Sequence, residues 1–94
     1  MTEYSTKEKN KPVDVLEEET DEGNHLVVFN DDFNTFDYVI ESLIKICKHD
    51  AIQAEQCTFI IHYNGKCSVK DGSFDNLRPM CEALLDRGLS ATID

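Results

Sequence analysis

Apolar and polar residues follow one another along most of the chain in patterns typical of a small α+β domain. The run HLVVF predicts a short strand, KCSVK predicts a second, and LSATI near the end predicts a third. Between these runs lie three segments with helical periodicity. The predicted order is therefore β-α-α-β-α-β, and we expect three helices packed against a small three-stranded antiparallel sheet.

The first predicted helix has the clearest apolar stripe. Its apolar residues recur at helical spacing from Phe36 to Cys47, and such a stripe faces a core. Asn34 is the predicted N-cap, because its side chain can accept a hydrogen bond from a free backbone amide. Asp37 then favours the positive end of the helix dipole. The helix should therefore begin just after Asn34.

The second predicted helix begins at Asp50, a good N-cap, and ends before Gly65, which supplies a left-handed stop. It is apolar around much of its circumference. Thr58, Ile61 and His62 form a stripe of their own, which we expect to face away from the core. Four large apolar residues of this helix are expected to face the core instead: Ile52, Phe59, Ile60 and Tyr63.

The third predicted helix follows a turn at Asp71-Gly72 and begins near Ser73. Pro79 would lie beyond its first turn, where proline removes a backbone hydrogen bond. We therefore expect either a separate opening turn over residues 74–77 or a kink. Five apolar residues share one face of this helix: Leu77, Met80, Cys81, Leu84 and Leu85.

The charges are unevenly distributed. Residues 1–24 hold eight acidic and three basic side chains with little apolar periodicity, which predicts a disordered acidic extension before a single domain at 25–94. The whole chain has 19 acidic and 9 basic residues and a net charge of −10. This charge opposes binding to nucleic acid or to an anionic membrane. No segment reads as a secretory signal or a membrane span, so we expect a cytoplasmic protein. We also expect it to be a monomer.

The four cysteines are widely spaced and include no Cys-x-x-Cys pair, so they are interpreted as small core residues. A zinc site that adds His49 or His62 is disfavoured, since structural zinc usually takes two ligands from one tight turn. The segment NDDFNTFDYVIE places oxygen ligands at calcium-loop spacing, but Thr35 occupies the position that requires glycine. We expect no metal and no cofactor.

A cluster of an amide and two carboxylates, Asn30-Asp31-Asp32, stands where the first strand ends. Acid–base hydrolysis is disfavoured, because adjacent carboxylates diverge and no second acidic motif supplies a partner across a cleft; we do not expect an enzyme. An ammonium group fits better, since it offers three donors to such acceptors, with His62 as a further candidate. The alternative is that the acids merely terminate a strand and that His62 is structural.

Three motifs resemble the ClpS family, whose members hand N-degron proteins to a Clp unfoldase–protease. They are VVFNDDFNTFDYVIESL, IIHYNGK and the terminal LSATID, in the order and approximate spacing of the family, and the resemblance spans residues 26–94. It implies an adaptor with two kinds of partner: N-degron substrates and the N-domain of a ClpA- or ClpC-type AAA+ unfoldase.

The resemblance also implies roles for particular residues. Asn30, Asp31 and His62 match the groups that hold the free α-amino terminus of the substrate, and Asp32 belongs to the same loop with a less direct role. A second set matches the hydrophobic pocket for the first side chain, which is Leu, Phe, Tyr or Trp in the family: Asn34, Phe36, Thr58, Ile61 and Leu89. Two of these depart from the family pattern, which usually has Met at the positions of Phe36 and Thr58. A protein-interaction module of the same fold, without amine recognition, is the alternative.

Overall fold

A computed structural model describes residues 23–94 of the chain. Its elements are the strands β1 (Asn24–Phe29), β2 (Lys66–Gly72) and β3 (Ser90–Ile93), and the helices α1 (Phe36–Cys47), α2 (Ala51–Asn64) and α3 (Phe74–Asp86). The sheet has the order β2-β1-β3, and both pairings are antiparallel. The predicted α+β fold and the order β-α-α-β-α-β are therefore confirmed. The predicted acidic extension lies outside the described residues except at Gly23 and Asn24, and Asn24 already belongs to β1.

The central strand β1 supplies much of the core. Its three successive residues Leu26, Val27 and Val28 are all buried. Val28 pairs with Cys67 on one side and with Ala91 on the other. Because both edges of β1 are paired, its backbone polar groups are satisfied and its apolar side chains can be buried at little cost.

Helix α1 begins one residue later than the sequence suggested. Its N-cap is Thr35, whose hydroxyl accepts a hydrogen bond from the Tyr38 amide at 3.1 Å. The prediction that Asn34 is the N-cap is wrong, because its side chain bonds to the preceding loop and to the α3–β3 turn instead. The apolar stripe is confirmed at Val39, Leu43 and Cys47, which are buried.

Helix α2 has the predicted ends but not the predicted core face. Asp50 caps it by accepting from the Gln53 amide at 2.7 Å, and Gly65 ends it in the left-handed region at φ 94°. Its buried residues are Ala54, Thr58 and Ile61. The four residues expected in the core are all exposed: Ile52, Phe59, Ile60 and Tyr63. Small side chains at Ala54 and Thr58 allow α2 to approach its neighbours closely, which the larger residues would prevent.

Helix α3 is a single element from Phe74 to Asp86 with Ser73 as its N-cap, so no separate opening turn is formed. Pro79 lies inside it and lacks the N–H that would bond the Asp75 carbonyl. The predicted turn at Asp71-Gly72 is displaced, since both residues still belong to β2.

The core lies between the sheet and the helices. Thirteen buried apolar residues form it: Leu26, Val28, Val39, Leu43, Cys47, Ala54, Ile61, Val69, Leu77, Cys81, Leu84, Leu89 and Ala91. Cys47 and Cys81 are core thiols as predicted, whereas Cys57 and Cys67 are only half-buried. Burial raises the pKa of the Cys47 thiol to about 11, so this group stays protonated and apolar. Among the helices of residues 23–94, none combines the length and the hydropathy that crossing a bilayer requires.

The cap assignment predicts the effect of two substitutions at one position. Thr35→Ala removes the hydroxyl that satisfies the Tyr38 amide, so the free energy of unfolding should fall by about 1 kcal/mol. Thr35→Ser keeps the acceptor and should unfold close to the wild-type denaturant concentration. Urea unfolding followed by circular dichroism measures both, and an unchanged midpoint for Thr35→Ala would contradict the cap.

Candidate functional site

A cavity of about 270 Å³ opens between the loop after β1 and the helices α1 and α2. Eight of the nine site residues predicted from the sequence line this cavity, together with Val39. The full lining is Asn30, Asp31, Asp32, Asn34, Phe36, Val39, Thr58, Ile61 and His62. Polar residues of the loop thus share one cavity with apolar residues of two helices.

The acidic loop is held against the end of α2 by a backbone hydrogen bond. The Asn30 amide donates to the Gly65 carbonyl at 2.8 Å. Gly65 is the C-cap of α2, and its own amide donates to the Ile61 carbonyl at 3.0 Å. His62 lies in this last turn of α2. Two motifs that are far apart in the sequence therefore lie side by side: Asn30-Asp31-Asp32 and the end of α2 around His62.

The Asp31 carboxylate organises the loop. One oxygen accepts from the amides of Phe33 and Asn34 at 2.9 and 2.8 Å, and the other accepts from the Asn34 side-chain amide at 2.8 Å. Partial burial raises the pKa of Asp31, but the hydrogen bonds from Asn34 and Phe33 outweigh it and hold the pKa below the ordinary value of 3.8. Each carboxylate oxygen can accept two hydrogen bonds. Oδ2 therefore keeps an acceptor position for a ligand, on a group that stays ionised.

Asn34 joins this loop to the other end of the chain. Its side-chain nitrogen donates to Asp31 Oδ2 and also to the Gly88 carbonyl, the latter at 2.9 Å. Both amide hydrogens are used in these bonds, so Asn34 acts in the structure as a bridge. Gly88 adopts φ 88°, a left-handed conformation that favours glycine in the α3–β3 turn.

Arg87 fixes the α3–β3 turn to α1. The Tyr38 hydroxyl donates to the Arg87 carbonyl at 2.7 Å, and Arg87 Nε donates to the Ser42 hydroxyl at 2.8 Å. The guanidinium carbon lies 4.6 Å from the centre of the Tyr38 ring, a cation–π contact. Arg87 therefore sets the position of the Gly88 carbonyl that Asn34 contacts.

The apolar wall of the cavity comes from α1 and α2. Phe36 and Val39 lie one turn apart on α1, opposite Thr58 and Ile61 of α2. The Thr58 hydroxyl donates to the Ala54 carbonyl at 2.7 Å, so its hydrogen is used within the helix. This bond lets Thr58 serve as a largely apolar wall. Val39 was assigned wholly to the core from the sequence, although its spacing from Phe36 already placed it beside that residue.

Leu89 is placed differently from the other selected residues. It is 4% exposed, belongs to the hydrophobic core and does not line the cavity. Its amide donates to the Leu84 carbonyl at 3.0 Å, which closes the C-terminal end of α3. Leu89 thus supports the turn that contains Gly88, and the structure does not bring it into the cavity lining.

Taken together, the cavity offers hydrogen-bond acceptors at one side and an apolar space at the other. Asn30 and His62 are exposed at its mouth, beside the ionised Asp31. Within residues 23–94 there is no group of three or more His, Cys, Asp or Glu side chains that could hold a metal ion. This arrangement suits a ligand with a cationic donor group attached to a large apolar one.

A protein-family model matches most of the chain. The model of the family described as ATP-dependent Clp protease adaptor protein ClpS matches residues 19–92, which is well over half of the chain. No match was found among curated proteins. The matched region includes the acidic loop, all three helices and most of β3. On this match, the chain belongs to the ClpS family of Clp protease adaptors.

Proposed function

We propose that this adaptor binds the free N-terminus of proteins that begin with Leu, Phe, Tyr or Trp and delivers them to a Clp AAA+ unfoldase–protease of the ClpA or ClpC type. The observation that carries the proposal is the position of Asp31. Its carboxylate keeps a free acceptor at the polar side of a cavity of about 270 Å³ whose other side is apolar. A protein N-terminus with a large apolar first residue has the matching pair of groups.

The α-amino group is proposed to bind at the polar side of the cavity. An ammonium carries three donors. Asp31 Oδ2, the Asn30 side chain and the His62 ring are the three acceptors proposed for them, directly or through water. Asp32 lines the same cavity and is assigned a weaker, electrostatic role. Because the Asp31 pKa is lowered, this acceptor is charged throughout the neutral range.

The first side chain is proposed to fill the apolar side of the cavity. Phe36 narrows the mouth, where its ring packs edge-on against Phe59 with 4.9 Å between ring centres. Thr58 occupies less volume than the Met that is usual in the family. A rigid ring at the mouth and a smaller wall behind it favour flat aromatic side chains over flexible ones.

The expected affinity suits capture followed by release. Burial of one large apolar side chain contributes about 1.5–3 kcal/mol, and each charge-assisted hydrogen bond contributes about 1.5–3 kcal/mol. One burial with two or three such bonds gives roughly 8 kcal/mol once part of the cost of ordering the two partners is deducted, which corresponds to a dissociation constant near micromolar. An adaptor must pass its substrate on, so much tighter binding would hinder it.

The competing function is a protein-interaction module that keeps the fold but does not recognise an amine. A titration of a Leu-initiated peptide against its N-acetylated twin separates the two. The free peptide should bind at least about thirtyfold more tightly, because acetylation removes the charge and two donors. Equal affinities in isothermal titration calorimetry would favour the interaction module.

Loss of the Asp31 charge should weaken binding of the free peptide. Asp31→Asn is expected to cost about 2 kcal/mol, since the ammonium would lose its counter-charge in a partly desolvated site. Glu55→Gln is the matched control, because it removes one negative charge from an exposed position of α2 outside the cavity lining. Equal binding by the two folded variants would refute the role of Asp31.

The Asn34 bridge should be visible in the titration of Asp31. Asn34→Ala removes the side-chain donor to Asp31 Oδ2, so the pKa of Asp31 should rise from its lowered value. A group with a lowered pKa in the folded state stabilises the protein above its unfolded pKa and loses this effect as the pH falls. The variant should therefore lose less stability than the wild type between pH 5 and pH 3, near the ordinary Asp pKa of about 3.9. Carboxyl-detected NMR measures the pKa directly, and an unchanged Asp31 value would contradict the bridge.

A further inference from the structure

Four rings, three from α2 and one from the start of α1, form a continuous aromatic ridge beside the cavity. The aromatic ridge consists of Phe36, Phe59, His62 and Tyr63. Phe36 meets Phe59 edge-on at 4.9 Å, and Phe59 stacks on Tyr63 at 5.9 Å with 8° between the ring planes. His62 meets Tyr63 edge-on at 4.9 Å and lies 6.2 Å from Phe36. The contacts fix the ring positions relative to one another.

The aromatic ridge begins inside the cavity and continues onto the surface. Phe36 and His62 line the cavity, whereas Phe59 and Tyr63 do not. Phe59 is 44% exposed and Tyr63 is 73% exposed, so neither is used to fill the core. Exposed apolar area that adjoins a binding site is typical of a contact surface for the same ligand.

The geometry points to a function for this surface, and we propose that the aromatic ridge binds the second side chain of the substrate and prefers an aromatic one there. This inference rests on the proposed function, because it takes the first side chain in the cavity and the amine at Asp31. The substrate chain must then leave past the cavity mouth, where His62 and Phe36 lie. An extended chain advances about 3.3–3.6 Å per residue. This step is shorter than the 4.9 to 6.2 Å between neighbouring ring centres, and Phe36 and His62 also line the cavity, so a chain that leaves the cavity beside them brings its second side chain next to the aromatic ridge.

The preference for an aromatic residue follows from the arrangement of the rings. Phe59 and Tyr63 are stacked with nearly parallel planes, and Tyr63 is the more exposed of the two, while Phe36 and His62 stand almost perpendicular to their neighbours. An incoming ring can stack on the exposed face or meet an edge, and both geometries are favourable beyond simple burial of area. An alanine at the second position can do neither.

The experiment compares two peptides that differ only at the second position, one beginning Leu-Phe and the other Leu-Ala, both with free N-termini. For the wild-type protein, calorimetry should show the Leu-Phe peptide binding about threefold to tenfold more tightly, as one aromatic contact implies. In Tyr63→Ala and in Phe59→Ala the ratio of the two affinities should fall toward one. Tyr63→Ala is the cleaner variant, because Phe59 also packs against a cavity residue.

Ile52→Ala is the matched control. Ile52 is an apolar residue of the same helix, 69% exposed, that belongs neither to the cavity lining nor to the aromatic ridge. It should leave the ratio of affinities unchanged.

Three outcomes would overturn the inference. The first is equal binding of both peptides by the wild-type protein; the proposed function then stands, provided that an N-acetylated Leu-Ala peptide binds more weakly than the free one. The second is that the ratio of the two peptide affinities stays at its wild-type value in both Tyr63→Ala and Phe59→Ala. The third combines two results: the wild-type protein self-associates in sedimentation experiments and Tyr63→Ala is a monomer, while the ratio of the two peptide affinities is unchanged in Tyr63→Ala. This outcome would assign the aromatic ridge to contact with a second copy of the chain. If acetylation has no effect on binding, the proposed function itself fails.

Discussion

The structure depends on β1 being paired along both of its edges. The strand lies between β2 and β3, so its buried apolar residues form the base on which the helices pack. Its end at Phe29 also fixes where the acidic loop begins, because the next amide, that of Asn30, is bonded to the α2–β2 turn at Gly65. The hydrophobic core and the site therefore both depend on β1, and a change that displaces this strand would disturb both.

The site itself is built from parts with little freedom of their own. The Asp31 carboxylate accepts three hydrogen bonds from its own loop, which shape that loop around the charge. Asn34 then connects the loop to the α3–β3 turn, and Arg87 connects that turn to α1. A site arranged in this way loses little conformational entropy when a ligand binds, since its acceptors are already oriented. Membership of the ClpS family identifies the chain as a Clp protease adaptor, and the geometry shows a cavity whose polar groups are held in place by the surrounding fold.

The fold was predictable because four of its six elements have simple patterns. α1 and α3 each carry one apolar stripe, β1 is a short apolar run bounded by polar residues, and β3 alternates polar and apolar residues. The core face of α2 was not predictable, because this helix is apolar around much of its circumference and only packing selects the face with Ala54 and Thr58. Most of the cavity lining was identified from the sequence through the family resemblance. Two placements differ from the expectation, and both have physical reasons. The cap of α1 moved because the neighbouring residues Asn34 and Thr35 can both cap a helix, and Leu89 lies outside the cavity lining because it packs in the core.

The bond between the Asn34 side chain and the Gly88 carbonyl joins residues 54 positions apart. Contacts of such long range form late in folding, because the loop they close must first lose much of its entropy. The α3–β3 turn lies just before β3, which is the last strand within residues 23–94 and pairs with β1. During synthesis the residues around Asn34 emerge well before Gly88 does. An incompletely made chain would therefore contain the acidic loop without the bridge, and the loop would gain this support only when the α3–β3 turn is in place.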